Sequence, residues 1–66
     1  MTVTVNGRAR ETQPGETVES LLDRLGLAAR YALVERNGEP VERDRYGETA
    51  LEEGDTLVVA RPVAGG

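Results

Sequence analysis

The sequence predicts an α+β fold, a small mixed sheet packed on one helix, and three features carry that expectation. Two Asn-Gly dipeptides, Asn6-Gly7 and Asn37-Gly38, each end a strand-like run, and one apolar stripe at helical spacing lies between them. The last apolar run, Thr56-Leu57-Val58-Val59-Ala60, offers apolar side chains to both faces.

Thr2-Val3-Thr4-Val5 alternates, with β-branched residues throughout, and runs directly into Asn6-Gly7, the strongest short hairpin signal. Two strands should flank that turn, the second from Arg8 to Thr12. Val3 and Val5 then share one face, as a half-covered sheet requires. The second strand is polar, and Arg8, Arg10 and Glu11 suit an edge that must not recruit another chain.

Pro14-Gly15-Glu16 breaks that strand, and Thr17 is the expected helix N-cap, with Glu16 and Glu19 near the positive end of the dipole. Val18, Leu21, Leu22 and Leu25 recur at i, i+3, i+4 and i+7, which sets one stripe against the sheet. Gly26 is the expected left-handed terminator, with Leu27 folding back onto the helix. A helix of about eight residues cannot stand alone, so packing must hold it.

Tyr31 to Arg36 reads as a third strand, with Ala32 and Val34 toward the helix and Tyr31 and Leu33 on the opposite face. Glu39 to Glu48 reads as an irregular polar passage in which Pro40 excludes a central strand and Arg43-Asp44-Arg45-Tyr46 suits a turn of helix. Leu51 anchors the tight turn Glu52-Glu53-Gly54-Asp55, and the run Thr56 to Ala60 suits the centre of the sheet. A first hairpin, a crossing helix and a final strand parallel to the first make the β-grasp, or ubiquitin-like, architecture. Residues 1–61 form the expected domain and residues 62–66 a flexible tail.

A chain of 66 residues is one domain whose core supplies roughly 3 to 5 kcal/mol of net stability, which favours a carrier or binding module over a catalyst with a deep cleft. It has no cysteine, histidine or tryptophan, which excludes disulfides, side-chain thiol chemistry and a zinc or other soft-metal site. The net charge of −4, with eight arginines dispersed among twelve acids, makes nucleic acid a poor partner. No apolar run reaches membrane-spanning length, and Met1 to Val5 lacks the regions of a signal peptide, so a soluble, cytoplasmic protein without a membrane partner is expected, monomeric when free.

The absence of lysine has two readings: coding bias in a GC-rich genome, and avoidance of ε-amines that would attack an activated acyl group on the same chain. Glu52, Glu53 and Asp55 lack the spacing of a calcium loop and read as a solvated turn. Tyr31 and Tyr46 are isolated phenols with no basic patch for base stacking.

Arg61-Pro62-Val63-Ala64-Gly65-Gly66 closes the sequence. Glycines lack the Cβ atoms that would block a narrow channel, so Val63, Ala64 and Gly65 suit a tail that carries the Gly66 carboxylate into a partner's active site. A glycine-rich frayed end is the alternative. Leu33, Val58 and Val63 are candidates for a docking face if they lie away from the helix, and otherwise are ordinary core or scattered surface residues. Arg61 either pairs with an acidic group of a partner or is simply solvated.

The whole chain resembles the ThiS family, the bacterial sulfur carriers of thiamine biosynthesis. The resemblance rests on the opening strand with Asn6-Gly7, Gly15-Glu16-Thr17-Val18 with Leu21-Leu22, Val34 to Gly38, Leu51 with Glu53-Gly54-Asp55, and the tail Val63-Ala64-Gly65-Gly66, in that order. Glu42 stands where proline is common in the family and Tyr46 where tryptophan is common. Both fall in the irregular passage, so they are expected to bear on partner fit.

The resemblance implies that Gly66 is the sulfur attachment site. A ubiquitin-activating-type enzyme would adenylate its carboxylate with ATP and magnesium, a sulfur-donating enzyme would supply the sulfur of a thiocarboxylate, and thiazole synthase would receive it. This chain would bind no cofactor or metal itself, having no phosphate-binding glycine loop, and would act as a protein co-substrate without being an enzyme. The same fold also suits the sulfur-carrying small subunit of molybdopterin synthase, whose chains are usually longer between helix and third strand, and a ubiquitin-like modifier or interaction domain.

Overall fold

The computed structural model describes residues 1–61. The expectations placed on Val63, Ala64, Gly65 and Gly66 therefore lie outside the described residues. Strands β1 (Thr2–Val5) and β2 (Arg8–Glu11) form the first hairpin, with Val5 opposite Arg8 and Thr2 opposite Glu11. Asn6 and Gly7 have φ of +50° and +83°, the pair of left-handed residues that lets a two-residue loop match the twist of its strands. Strand β2 ends one residue before the expected Thr12, although Thr12 still exchanges backbone bonds of 2.7 and 2.9 Å with Met1.

Helix α1 (Val18–Arg24) begins at Thr17, whose Oγ1 accepts the Ser20 amide at 3.1 Å while Ser20 Oγ accepts the Thr17 amide at 2.9 Å. Serine here plays the reciprocal part that glutamate usually takes in a capping box. The next amides, Val18 and Glu19, donate to the carbonyls of Thr49 and Tyr46 at 3.0 and 3.1 Å, so a seven-residue helix starts with its free donors satisfied. At the other end the Leu27 amide reaches Leu22 O at 2.9 Å and the Gly26 amide Asp23 O at 3.0 Å, with Gly26 at φ +75°. That is the paired-bond terminator expected of Gly26 and Leu27.

The third strand starts later than expected. Ala29–Tyr31 form a 3₁₀ turn closed by bonds from Tyr31 to Ala28 and from Ala32 to Ala29, so Tyr31 is not a strand residue. The chain must climb from the helix end back to the sheet, and tight i to i+3 bonds satisfy its amides on the way. Strand β3 (Leu33–Arg36) then turns at Asn37-Gly38 into β4 (Glu39–Val41), which the polar sequence had concealed. Pro40 is tolerated because β4 lies at the sheet edge.

A 3₁₀ turn at Arg43–Arg45, where a turn of helix was expected, delivers Tyr46 inward. Tyr46 is buried and its hydroxyl donates to Ala32 O at 2.7 Å. It is thus part of the core, which corrects its expected bearing on partner fit. The aromatic ring joins the core cluster, and the one polar atom it brings inside has a partner.

Strand β5 (Thr56–Ala60) takes the centre of the sheet, in the order β2-β1-β5-β3-β4. It runs parallel to β1 and antiparallel to β3, which completes the β-grasp. Leu57, fully buried, meets Val3, Val18, Leu21 and Leu22 in the core between sheet and helix, and Leu51 closes it as the expected anchor.

Asp55, read as solvated, is buried at the entrance to β5. Its carboxylate accepts Arg36 Nε at 2.8 Å, Asn37 Nδ2 at 3.0 Å and the Glu52 amide at 2.8 Å. Burial alone pushes its pKa up, but these bonds and the Arg36 charge outweigh burial and hold it below the ordinary value. The hydrogen bond to Asp55 raises the pKa of Arg36, offset in part by burial, so this partner stays charged wherever Asp55 titrates. A depressed folded pKa stabilises at pH above the unfolded value of about 3.9, and that contribution disappears as pH falls through the folded one. The melting temperature, followed by circular dichroism from pH 7 downward, should therefore drop below about pH 4. Asp55→Asn should start less stable at neutral pH and lose less in acid, and parallel curves for the two proteins would contradict this assignment.

Candidate functional site

Strand alternation gives the sheet two unlike faces. Leu57 and Val34 point at the helix, while Thr56, Val58 and Ala60 of β5 and Leu33 and Glu35 of β3 point away from it. The antiparallel register sets Leu33 opposite Ala60 and Glu35 opposite Val58, and β4 adds Pro40 opposite Glu35. Leu33 and Val58 are 51% and 49% exposed. With Pro40, Val41 and Ala60 they line a shallow apolar depression in which Glu35 is the charged residue.

Neighbouring aliphatic side chains left half in water on a small domain mark a surface that a partner can dry. Its location gives it meaning. Leu33 faces Ala60 at the very end of β5, so the apolar face adjoins the point where Arg61, itself exposed, begins the segment leading to Gly66. The structure thus unites two of the expected docking residues, Leu33 and Val58, next to Arg61, while Val63 and the glycine tail lie outside the described residues. Tyr31, the third large exposed apolar side chain among the described residues, sits on its 3₁₀ turn with the Arg30 guanidinium 5.1 Å from the ring centroid.

Ala60, Pro40 and Glu35 were missed as members of this face. A signal existed: a two-residue loop at Asn37-Gly38 dictates that Glu39 pairs with Arg36 and Pro40 with Glu35, as observed. The polar look of Glu39 to Glu48 hid it.

The clustered acids diverge in space. Glu53 accepts the Thr2 amide at 2.9 Å, Glu52 approaches Arg36 at 3.6 Å, and Asp55 points inward. Among the described residues no group of three histidine, cysteine, aspartate or glutamate side chains could hold a metal ion, and no helix is long and apolar enough to cross a membrane.

Comparison with known proteins places this geometry. The model of the ThiS family matches residues 3–66. A crystal structure of the thiamine biosynthesis protein ThiS from Geobacter metallireducens superposes with a TM-score of 0.83 at 35% identity, each chain covered in full. SAMP1 from Haloferax volcanii, at 23% identity and a TM-score of 0.62 over 98% of this chain and 97% of its own, shares the fold. Among curated relatives, a thiazole synthase from Paramagnetospirillum magneticum is 38% identical over all 66 residues. The chain spans only about a fifth (20%) of the length of the curated relatives it matches. With the hairpin, capped helix, central parallel strand and terminal glycines all inside the matched range, the chain belongs to the ThiS family.

Proposed function

We propose that this chain is a sulfur carrier of thiamine biosynthesis in which the carboxylate of Gly66 is adenylated, converted to a thiocarboxylate and used by thiazole synthase. The observation that carries the reading is that the family match extends to residue 66, so the terminal glycines belong to the family pattern. A relative named thiazole synthase that contains a segment 38% identical to this chain supports a working contact with such an enzyme. The match to a thiamine biosynthesis protein over the full length of both chains favours this pathway over molybdopterin synthesis and over a conjugating modifier.

The chemistry follows from the functional groups. A carboxylate is a poor electrophile, so an oxygen of Gly66 attacks the α-phosphorus of ATP and pyrophosphate leaves. Sulfur at the oxidation level of sulfide then adds to the carbonyl and AMP leaves, which yields the thiocarboxylate. ATP and magnesium belong to the adenylating partner, a ubiquitin-activating-type enzyme, and the sulfur to a separate donor enzyme. With no cysteine in the chain, the Gly66 carbonyl carries the sulfur. This protein is a co-substrate in that scheme and the catalysts are its partners.

Docking is assigned to the face bearing Leu33 and Val58, with Arg61 at its margin. A Leu33→Asp/Val58→Asp variant should raise KM for the carrier in pyrophosphate release by about tenfold or more, as loss of central interface anchors does. The turnover number and circular dichroism spectrum should hardly change, since both side chains stand half exposed outside the core. An unchanged KM would remove this face from the scheme.

The reading as a whole is tested by mass spectrometry of protein purified from its own cells and treated with a thiol-selective alkylating reagent. Alkylation confined to the Gly65-Gly66 fragment is the expected result, and the intact mass also establishes whether Gly66 ends the chain. Absence of alkylation after incubation with ATP, the adenylating enzyme and a sulfur source would transfer the assignment to a modifier or interaction domain.

A further inference from the structure

The two Asn-Gly turns do more than reverse the chain, because each asparagine reaches across to β5. At the strand's entrance Asn37 accepts the Thr56 amide at 2.9 Å through Oδ1 and donates to Asp55 at 3.0 Å. At its exit Asn6 does the corresponding thing. The backbone ladder between β1 and β5 ends where the Asn6 amide donates to Leu57 O at 2.9 Å. Beyond that point the Asn6 carboxamide takes over, accepting the Val59 amide at 2.9 Å and donating to Val59 O at 3.0 Å, 53 residues away in sequence.

A carboxamide presents the same donor and acceptor as a peptide unit, so Asn6 extends the ladder by one more rung after its strand has turned away. Val59 lies two residues before Arg61, and the bonded pair therefore fixes the last part of β5 from which the chain leaves toward Gly66. We infer that Asn6 is a positioning residue for the reaction at Gly66: by clamping both backbone groups of Val59 it sets where the terminal segment starts and in which direction. This rests on the carrier reading above. Without the clamp, Val59 loses its partners on the β1 side, and a strand end with an open edge frays. A frayed origin spreads the carboxylate over more positions relative to a reacting phosphate, and misplacement of reacting groups is costly in rate.

Asn6→Gly isolates the effect, because glycine adopts the left-handed φ of +50° found here without strain and keeps the turn. Asn37→Gly is its control: Asn37 has φ +53° and likewise accepts a β5 amide, that of Thr56, but at the opposite end of the strand from Ala60 and Arg61. Both variants should melt somewhat below the parent. Amide hydrogen exchange in Asn6→Gly should accelerate about tenfold or more at Val59, and the turnover number for adenylation should fall by about tenfold with KM little changed. Asn37→Gly should retain the parent's turnover at a temperature where both proteins are folded. Equal losses in the two variants would reduce Asn6 to a general stabilising residue, and parental turnover in Asn6→Gly would overturn the inference outright. If the parent protein itself is not adenylated, the carrier reading fails and the role at Gly66 falls with it. Exchange at Val59 would then still decide whether Asn6 fixes the strand end.

Discussion

Gly65→Val is expected to abolish adenylation of Gly66 and to leave the domain standing. Valine adds a branched side chain one residue from the reacting carboxylate, where the proposed reaction requires the chain to pass through a channel shaped for bare backbone. It also removes the conformations that only glycine reaches freely. Near-attack geometry tolerates little displacement, so the rate of ATP-dependent pyrophosphate release should drop by at least about a hundredfold. The core cluster and the five-stranded sheet described for residues 1–61 hold the domain together, so unfolding free energy should stay within about 0.5 kcal/mol of the parent. Gly65→Ala should fall between the two. Normal adenylate formation by the valine variant would remove the clearance argument and with it the reason for a glycine at that position.

Leu57→Ala should have the opposite profile, a large loss of stability arising far from the chemistry. Leu57 is fully buried at the centre of the sheet, paired in register with Val5 on one side and Arg36 on the other. Truncating such a leucine costs about 2 to 5 kcal/mol, the transfer term plus the cavity left by neighbours that cannot collapse. A domain of this size has roughly 3 to 5 kcal/mol in total from its core. Urea titration of the variant should therefore find much of the population unfolded without denaturant. Val58→Ala, the next residue along, should move stability by only about 0.5 kcal/mol, because that side chain already faces solvent. Comparable losses at the two positions would contradict the assignment of one face to the core and the other to a partner.

Turn chemistry and periodicity made much of the architecture legible in advance. Asn6-Gly7, Thr17, Gly26 and the Val18, Leu21, Leu22, Leu25 stripe each act through neighbours no more than a few residues away. Their consequences, a hairpin, a capped helix and its buried face, could thus be read locally. Leu57 and its flanking apolar residues announced a central strand by composition alone. The proposed docking face was half legible: alternation set Leu33 apart from Val34, but which strand lay beside it was not written nearby.

Tyr46 and Asp55 show where local reading stops. Both look like surface residues in polar stretches, yet Tyr46 hydrogen-bonds Ala32 across 14 positions and Asp55 is held by Arg36 from 19 positions away. A polar side chain is stable inside only when the rest of the fold brings a partner to it, and no window around the residue contains that partner. The sequence by itself determined the β-grasp elements other than β4, both Asn-Gly turns and the family pattern that reaches Gly66. Tertiary structure alone decided that Tyr46 belongs to the core, that Leu33 and Val58 meet beside the end of β5, and that Asn6 clamps Val59, because each depends on strands paired across long stretches of chain.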